Sequence, residues 1–180
     1  MRIIAGKYRG RKLYTLEGAN TRPMTDRMKE TVFNVIGPYF PEWSVLDLFG
    51  GSGALSLESL SRGARHAVIV DKEKLAYDVI MKNVNMLTAE TDTNVMLTDY
   101  KIALSRLTGV KFDLVFLDPP YKMNIIEDII EKLKQRQMLK ANALIVCHYV
   151  KGSVKILENE QLIKNFSYGG GECAIYRIGE

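Results

Sequence analysis

Four short segments hold residues able to do chemistry, and each has an aspartate at or just past the end of an apolar run. The first is Asp47-Leu48-Phe49-Gly50-Gly51-Ser52-Gly53. Glycines there let the backbone turn tightly and approach a ligand closely. No Gly-Lys-Ser/Thr follows, so the run is not a P-loop, and the third glycine of a dinucleotide fingerprint is absent. Asp47 would face a dinucleotide's pyrophosphate unfavourably. It suits a cationic ligand, such as the ammonium of the methionine moiety of S-adenosylmethionine (SAM). A plain strand-to-helix turn would use the same glycines. The second segment is Asp71-Lys72, 24 residues past Asp47. A carboxylate at about that distance in an open α/β fold accepts from ribose hydroxyls; an exposed strand-end acid paired with Lys72 is the plainer alternative.

The third segment is Asp99-Tyr100. Asp99 can accept from an adenine amino group while Tyr100 covers the ring, or it can simply cap the helix that follows. The fourth is Asp118-Pro119-Pro120-Tyr121. Two prolines stiffen the turn and remove backbone donors, so its carbonyls are left as acceptors. The nitrogen of an exocyclic base amine is a poor nucleophile because its lone pair is delocalised into the ring. The Asp118 carboxylate and the Pro119 carbonyl can bind its hydrogens and favour a more tetrahedral nitrogen, while Tyr121 stacks on the base, a contact worth roughly 1–3 kcal/mol. A rigid surface turn closing a core strand is the competing reading.

Elements that would hold these segments in place are legible in the hydrophobic pattern. Thr25 reads as the N-cap of a helix over 26–36, with Met28, Val32, Val35 and Ile36 on its apolar face and Gly37-Pro38 ending it. Strands are predicted at Val45–Phe49, Ala67–Val70, Val95–Leu97, Leu114–Leu117 and Ala143–Cys147. Helices alternate with them at Ala54–Arg62, Glu73–Met86, 101–107 and 124–137. Such alternation implies a parallel sheet with helices on both faces. Three further strands, Val154–Leu157, Phe166–Tyr168 and Ala174–Ile178, follow without a long helix. The last two are joined by Gly169-Gly170-Gly171 as an antiparallel hairpin. A short basic β-hairpin is expected at 1–16, so the chain divides into an extension at 1–25 and a domain at 26–180.

The 180 residues suffice for one well-cored domain, and no run approaches the ~20 apolar residues of a membrane span. The net charge of +4 is uneven: eight basic and three acidic residues put the first thirty at +5. Arg2, Lys7, Arg9, Arg11 and Lys12 make a surface for a polyanion, unless the arm serves only solubility. Cys147 and Cys173 are expected to be buried and reduced, consistent with a cytoplasmic protein, and no metal-ligand spacing occurs. His66 and His148 stand alone and are read as neither base nor ligand. The methionines at 24, 28, 81, 86 and 96 are read as packing.

Taken together the chain resembles the RsmD-type methyltransferases. The carriers are Arg2-Ile3-Ile4-Ala5-Gly6 with Arg9-Gly10-Arg11, Arg22-Pro23-x-x-Asp26-Arg27-x-Lys29-Glu30-x-x-Phe33-Asn34, Val45 through Gly53, and Asp118 through Tyr121. The resemblance spans nearly the whole length. It implies a single Rossmann-like SAM-dependent methyltransferase domain with a mostly parallel seven-stranded sheet. It implies methyl transfer to the N2 amine of a guanine in small-subunit (16S) ribosomal RNA, with S-adenosylhomocysteine as product. Asp47, Gly51 and Gly53 would surround the methionine part, with Phe49 in the same cofactor site. Asp71 would lie at the ribose and Asp99 and Tyr100 at the adenine, Lys72 and Asp118 would also line the cofactor site, and Asp118, Pro119 and Tyr121 would meet the reacting amine. Arg22, Pro23 and Thr25 would close over the cofactor. The partner would be ribosomal RNA or an assembling small subunit, met by a monomer. Three rival readings remain: an adenine-N6 methyltransferase on DNA or RNA, an NAD-binding oxidoreductase, which Asp47 disfavours, and a non-catalytic RNA-binding assembly factor.

Overall fold

The computed structural model describes residues 1–16, 24–120, 125–150, 157 and 160–178. Seven strands form one sheet in the order β3-β2-β1-β4-β5-β7-β6. They are β1 (Ser44–Asp47), β2 (His66–Asp71), β3 (Thr93–Leu97), β4 (Phe112–Leu117), β5 (Leu139–Val150), β6 (Gln161–Tyr168) and β7 (Gly171–Arg177). The first five run parallel, and β7 is antiparallel to both β5 and β6. Between them lie α1 (Asp26–Ile36), α2 (Ala54–Ser61), α3 (Lys74–Leu87), α4 (Tyr100–Arg106) and α5 (Ile126–Gln135). The predicted strand Val154–Leu157 falls, apart from Leu157, outside the described residues.

The central strands alternate side chains between two cores. Val45, Ala67, Ile69, Leu114, Phe116 and Val146 face one core, shared with α1, α2, α3 and the N-terminal segment. Leu46, Val68, Val70, Val115, Leu117 and Ile145 face the other, shared with α4 and α5. Two buried faces explain why these strands read as continuous apolar runs. The expected α1 is observed with its predicted bounds, and Thr25 Oγ1 accepts from the Met28 amide at 3.1 Å.

Two strands outrun their apolar cores. β5 extends back through exposed Lys140, Ala141 and Asn142, and β6 is an edge strand whose side chains are mostly exposed, so hydrophobicity marks only part of each. The β6–β7 hairpin is present. Tyr168 pairs with Gly171, and the two loop residues Gly169 and Gly170 have φ of 58° and 91°. Positive φ at both central positions fits the twist of a two-residue hairpin and requires glycine-like freedom.

The N-terminal segment folds back on itself around one antiparallel bridge, Arg2 to Lys12, with the Ile3, Gly10 and Leu13 amides donating to the carbonyls of Arg11, Ile3 and Met1. The amides that would extend the ladder go elsewhere. Ile4 and Ala5 donate to the two carboxylate oxygens of Glu58 at 2.8 and 3.0 Å. Glu58 of α2 is buried, as are Lys29 of α1 and Arg62 just past the end of α2, which reach it at 3.3 and 2.8 Å. Lys29 Nζ also donates to the Arg2 carbonyl. Burial pushes the Lys29 pKa down and the Glu58 charge opposes that push. The basic segment is thus clasped to the domain by a buried, fully partnered ionic cluster.

Candidate active site

Parallel pairing places four acidic or basic groups at one edge of the sheet. Asp47 lies opposite Ile69 of β2 and Phe116 of β4. Asp71 and Asp118 are each two residues beyond those partners, and side chains on a strand repeat every two residues. The three carboxylates therefore emerge on one face at the carboxyl end of the sheet, where open α/β folds bind ligands. His148, two residues past Val146, which pairs with Phe116, joins them from β5.

Each carboxylate is braced differently. Asp47 is buried; its Oδ1 accepts from the Phe49 amide at 3.3 Å and its Oδ2 from the Ser56 hydroxyl at 3.2 Å. Desolvation raises its pKa to about 7, and the charges of Asp118 and Asp71 add to the rise. Asp71 Oδ2 accepts from Gly51 N–H and Oδ1 from Glu73 N–H, both at 2.9 Å. Burial raises its pKa as well, with those amides pulling the other way. Asp118 Oδ1 lies 2.7 Å from Nδ1 of His148.

The turn between β1 and α2 is packed on one side and open on the other. A Cβ on Gly50 would lie 2.5 Å from the Ile69 side chain, whereas one on Gly51 would meet nothing within 4 Å. Gly51 and Gly53 have φ of 57° and 77°, a region that glycine enters without strain. Phe49 is partly buried and rests on Tyr100, with ring centroids 5.5 Å apart. Tyr100 is itself buried in the core, so it reaches the site by supporting Phe49. Asp99 caps α4 by accepting from the Lys101 amide at 2.9 Å. Lys72 is exposed and leans to Glu73 at 3.9 Å. Pro119 is buried beside Asp118, and Thr25 caps α1. Arg22, Pro23 and Tyr121 lie outside the described residues.

Reading His148 as an isolated histidine is corrected by its bond to Asp118. The two are 30 residues apart, and only the β4–β5 register brings them together. Sequence spacing carries no sign of this, although Asp118 and His148 each directly follow an apolar run of a predicted parallel strand.

All five basic residues of the N-terminal segment are exposed. Lys7 pairs with Asp92 at 3.2 Å, and Arg11 donates to the Met86 carbonyl at 2.8 Å. Arg2 and Arg9 line an open cleft of about 350 Å³ with Arg27, Asp26 and Glu30 of α1. Among the described residues, no group of three or more His, Cys, Asp or Glu could hold a metal, and no helix is long and apolar enough to cross a membrane. Both cysteines are free and buried.

A mostly parallel sheet ending in an antiparallel hairpin, with an acidic, glycine-rich turn after its first strand, defines a Rossmann-like methyltransferase domain. The family described as Conserved hypothetical protein 95 matches residues 1–177, and the chain belongs to this family, that of the RsmD-type enzymes. It is 40% identical over 184 residues to YlbH of Bacillus subtilis (strain 168), covering 98% of each chain. It is 37% identical to ribosomal RNA small subunit methyltransferase D of Haemophilus influenzae, covering 98% of this chain and 93% of that one. A solved structure of yhhF from Escherichia coli superposes with a TM-score of 0.87 at 32% identity, covering 99% of this chain and 98% of that one.

Proposed function

We propose that this protein transfers a methyl group from SAM to the exocyclic N2 amine of a guanine in 16S ribosomal RNA. The observation that carries this reading is the convergence of Asp47, Asp71 and Asp118 on one sheet edge beside a turn open at Gly51. Buried carboxylates whose pKa values rise through desolvation, Asp47 also through the charges of Asp118 and Asp71, are stabilised by a cation, and SAM carries both an ammonium and a sulfonium. The residues present therefore fit that cofactor. Bound there, SAM supplies an electrophilic methyl on a positive sulfur. A relative of this chain in Haemophilus influenzae is named for small-subunit ribosomal RNA, which supports the substrate.

The chain's own residues have four tasks. Asp71 receives ribose hydroxyls while holding Gly51. Asp47 supplies negative charge below the turn, and Gly51 and Gly53 let the backbone come close. Phe49, backed by Tyr100, would complete the cofactor pocket with Lys72 and Asp99, and Arg22, Pro23 and Thr25 would close over it, as the family resemblance implies. Asp118 and the Pro119 carbonyl accept the amine hydrogens, and Tyr121 stacks on the base. No strong base is required, because the sulfonium charge disappears during transfer and the surplus proton can leave through Asp118 or solvent. The rate comes from orientation and from exclusion of water, acting on a base drawn out of its stack.

Residues 1–25 act as an RNA-contacting extension of a domain at 26–180, with Arg2, Lys7, Arg9, Arg11 and Lys12 toward phosphates. A monomer working in the cytoplasm on ribosomal RNA or an assembling small subunit completes the reading. The test is incubation with labelled SAM and, separately, 16S RNA, small-subunit particles and duplex DNA, followed by nucleoside mass spectrometry. N2-methylguanosine from RNA is expected. Label in N6-methyladenine, or transfer only to DNA, would replace this reading with the adenine-N6 one, and no transfer to any substrate would favour an assembly factor.

A further inference from the structure

The pair formed by Asp118 and His148 has a geometry that the proposed reaction does not require of an isolated Asp-Pro-Pro-Tyr turn. The His148 ring is buried, with a side-chain exposure of 3%, while the Asp118 side chain in front of it is 25% exposed. A carboxylate only accepts hydrogen bonds, so Nδ1 of His148 carries the proton and donates it to Asp118 Oδ1 at 2.7 Å. One carboxylate oxygen is thereby fixed from within the fold. The same bond restricts rotation of the side chain and selects the direction of the other oxygen.

A second observation concerns the glycine run of the β6–β7 hairpin. Gly169 and Gly170 make the turn, but Gly171 begins β7 without a positive φ, so turn geometry does not explain it. A Cβ there would lie 2.7 Å from Nε2 of His148. The missing side chain leaves the volume that the imidazole fills. An alanine at 171 would press on the far end of the ring, and the ring can yield only by moving relative to Asp118.

We propose that His148 is a positioning residue for the methyl transfer: it holds Asp118 in the orientation that receives the amine, and Gly171 keeps the imidazole in place. The inference rests on the assignment of Asp118 to the reacting amine. It gives the glycine-rich hairpin a role in the site, although it lies on the far side of β5 from the Asp-Pro-Pro turn.

The experiment is steady-state methylation of 16S RNA or small-subunit particles by the wild type, Asp118→Ala, His148→Leu, His148→Asn, His148→Gln and Gly171→Ala. SAM affinity and thermal unfolding are measured for each. Asn places an amide N–H close to the position of Nδ1, whereas Gln places it near Nε2. Loss of a hydrogen bond to a charged group predicts a fall in kcat of about 10- to 100-fold for His148→Leu, His148→Gln and Gly171→Ala. KM for both substrates should stay within about twofold, and His148→Asn should recover most of the lost rate. Full kcat in His148→Leu, or equal impairment in the Asn and Gln variants, overturns the proposal. If His148→Leu fails to fold, the Asn–Gln comparison and Gly171→Ala still decide it. Wild-type protein without transfer to guanine, or Asp118→Ala with undiminished rate, instead defeats the functional reading beneath it.

Discussion

The amide of Gly51 donates to Oδ2 of Asp71 at 2.9 Å, so the turn after β1 is tied to the end of β2. A second tie runs from the Gly50 amide to the Val70 carbonyl at 2.8 Å. The two halves of the proposed cofactor cleft therefore hold each other, and Asp71 has both a binding and a bracing part. Asp71→Ala should remove the ribose acceptor and loosen Gly51 together. Losing hydrogen bonds to a charged group predicts SAM binding weaker by about 10- to 100-fold. Isothermal calorimetry measures this directly, and unchanged affinity would take Asp71 out of the cofactor site.

Asp47 gives a prediction with a definite sign. Its carboxyl titrates at about 7 in the fold against 3.8 ordinarily, because burial and the neighbouring acids disfavour its charge. The folded state then holds the proton more tightly than the unfolded chain, so stability falls as pH rises between those two values and levels off above the higher one. Asp47→Asn keeps both local bonds: its carbonyl accepts from Phe49 N–H and its amide donates to Ser56 Oγ. The variant should lack this pH slope. At pH near 8 it should be more stable than wild type by about 2–4 kcal/mol, with the gap shrinking toward pH 4. Its SAM affinity should fall, because the charge that weakens the empty fold attracts the ammonium. Urea unfolding across that pH range checks the first part, and a constant gap would contradict it.

Asp47, Asp71 and Asp118 were legible because each ends or follows a strand buried on both faces, which leaves its first polar residue conspicuous. Thr25 and α1 were legible for a local reason, a capping hydroxyl before an amphipathic pattern. What could not be read depends on neighbours distant in the chain. His148 meets Asp118 only through the β4–β5 register, and the place for its ring is opened by Gly171 of a third strand. The role of α2 was hidden for a similar reason. Ser56, Glu58, Ser59 and Ser61 are polar residues spread around α2, and nothing in their local sequence marks them as buried, yet all are, each with a partner.

Glu58 shows what that burial implies for stability. It accepts from two backbone amides of the N-terminal segment and pairs with Lys29 and Arg62, both buried. Glu58→Ala would leave two buried cations and two amides without their acceptor. Breaking a buried ion pair from one side costs about 3–5 kcal/mol. Denaturant unfolding should show a loss of that order, and hydrogen exchange at the Ile4 and Ala5 amides should accelerate. A loss under about 1 kcal/mol, the range of ordinary surface substitutions, would mean the clasp carries little.

The clasp also bears on RNA binding, since it fixes how the basic segment is presented. Arg9 and Arg11 are exposed on it, Arg11 with one guanidinium nitrogen on the Met86 carbonyl and Arg9 at the mouth of the cleft against α1. Each phosphate contact releases counterions, so the logarithm of affinity depends linearly on the logarithm of salt concentration, with a slope set by the number of contacts. Reversing both residues to Glu should weaken binding to 16S RNA and reduce the magnitude of that slope by about 1–2. SAM affinity should be unaffected, because neither residue belongs to the carboxylate edge. Fluorescence anisotropy over a salt series distinguishes the outcomes. A parallel line displaced downward would mean the change acts through folding or shape, and an unchanged line would mean that phosphates are met elsewhere on the molecule.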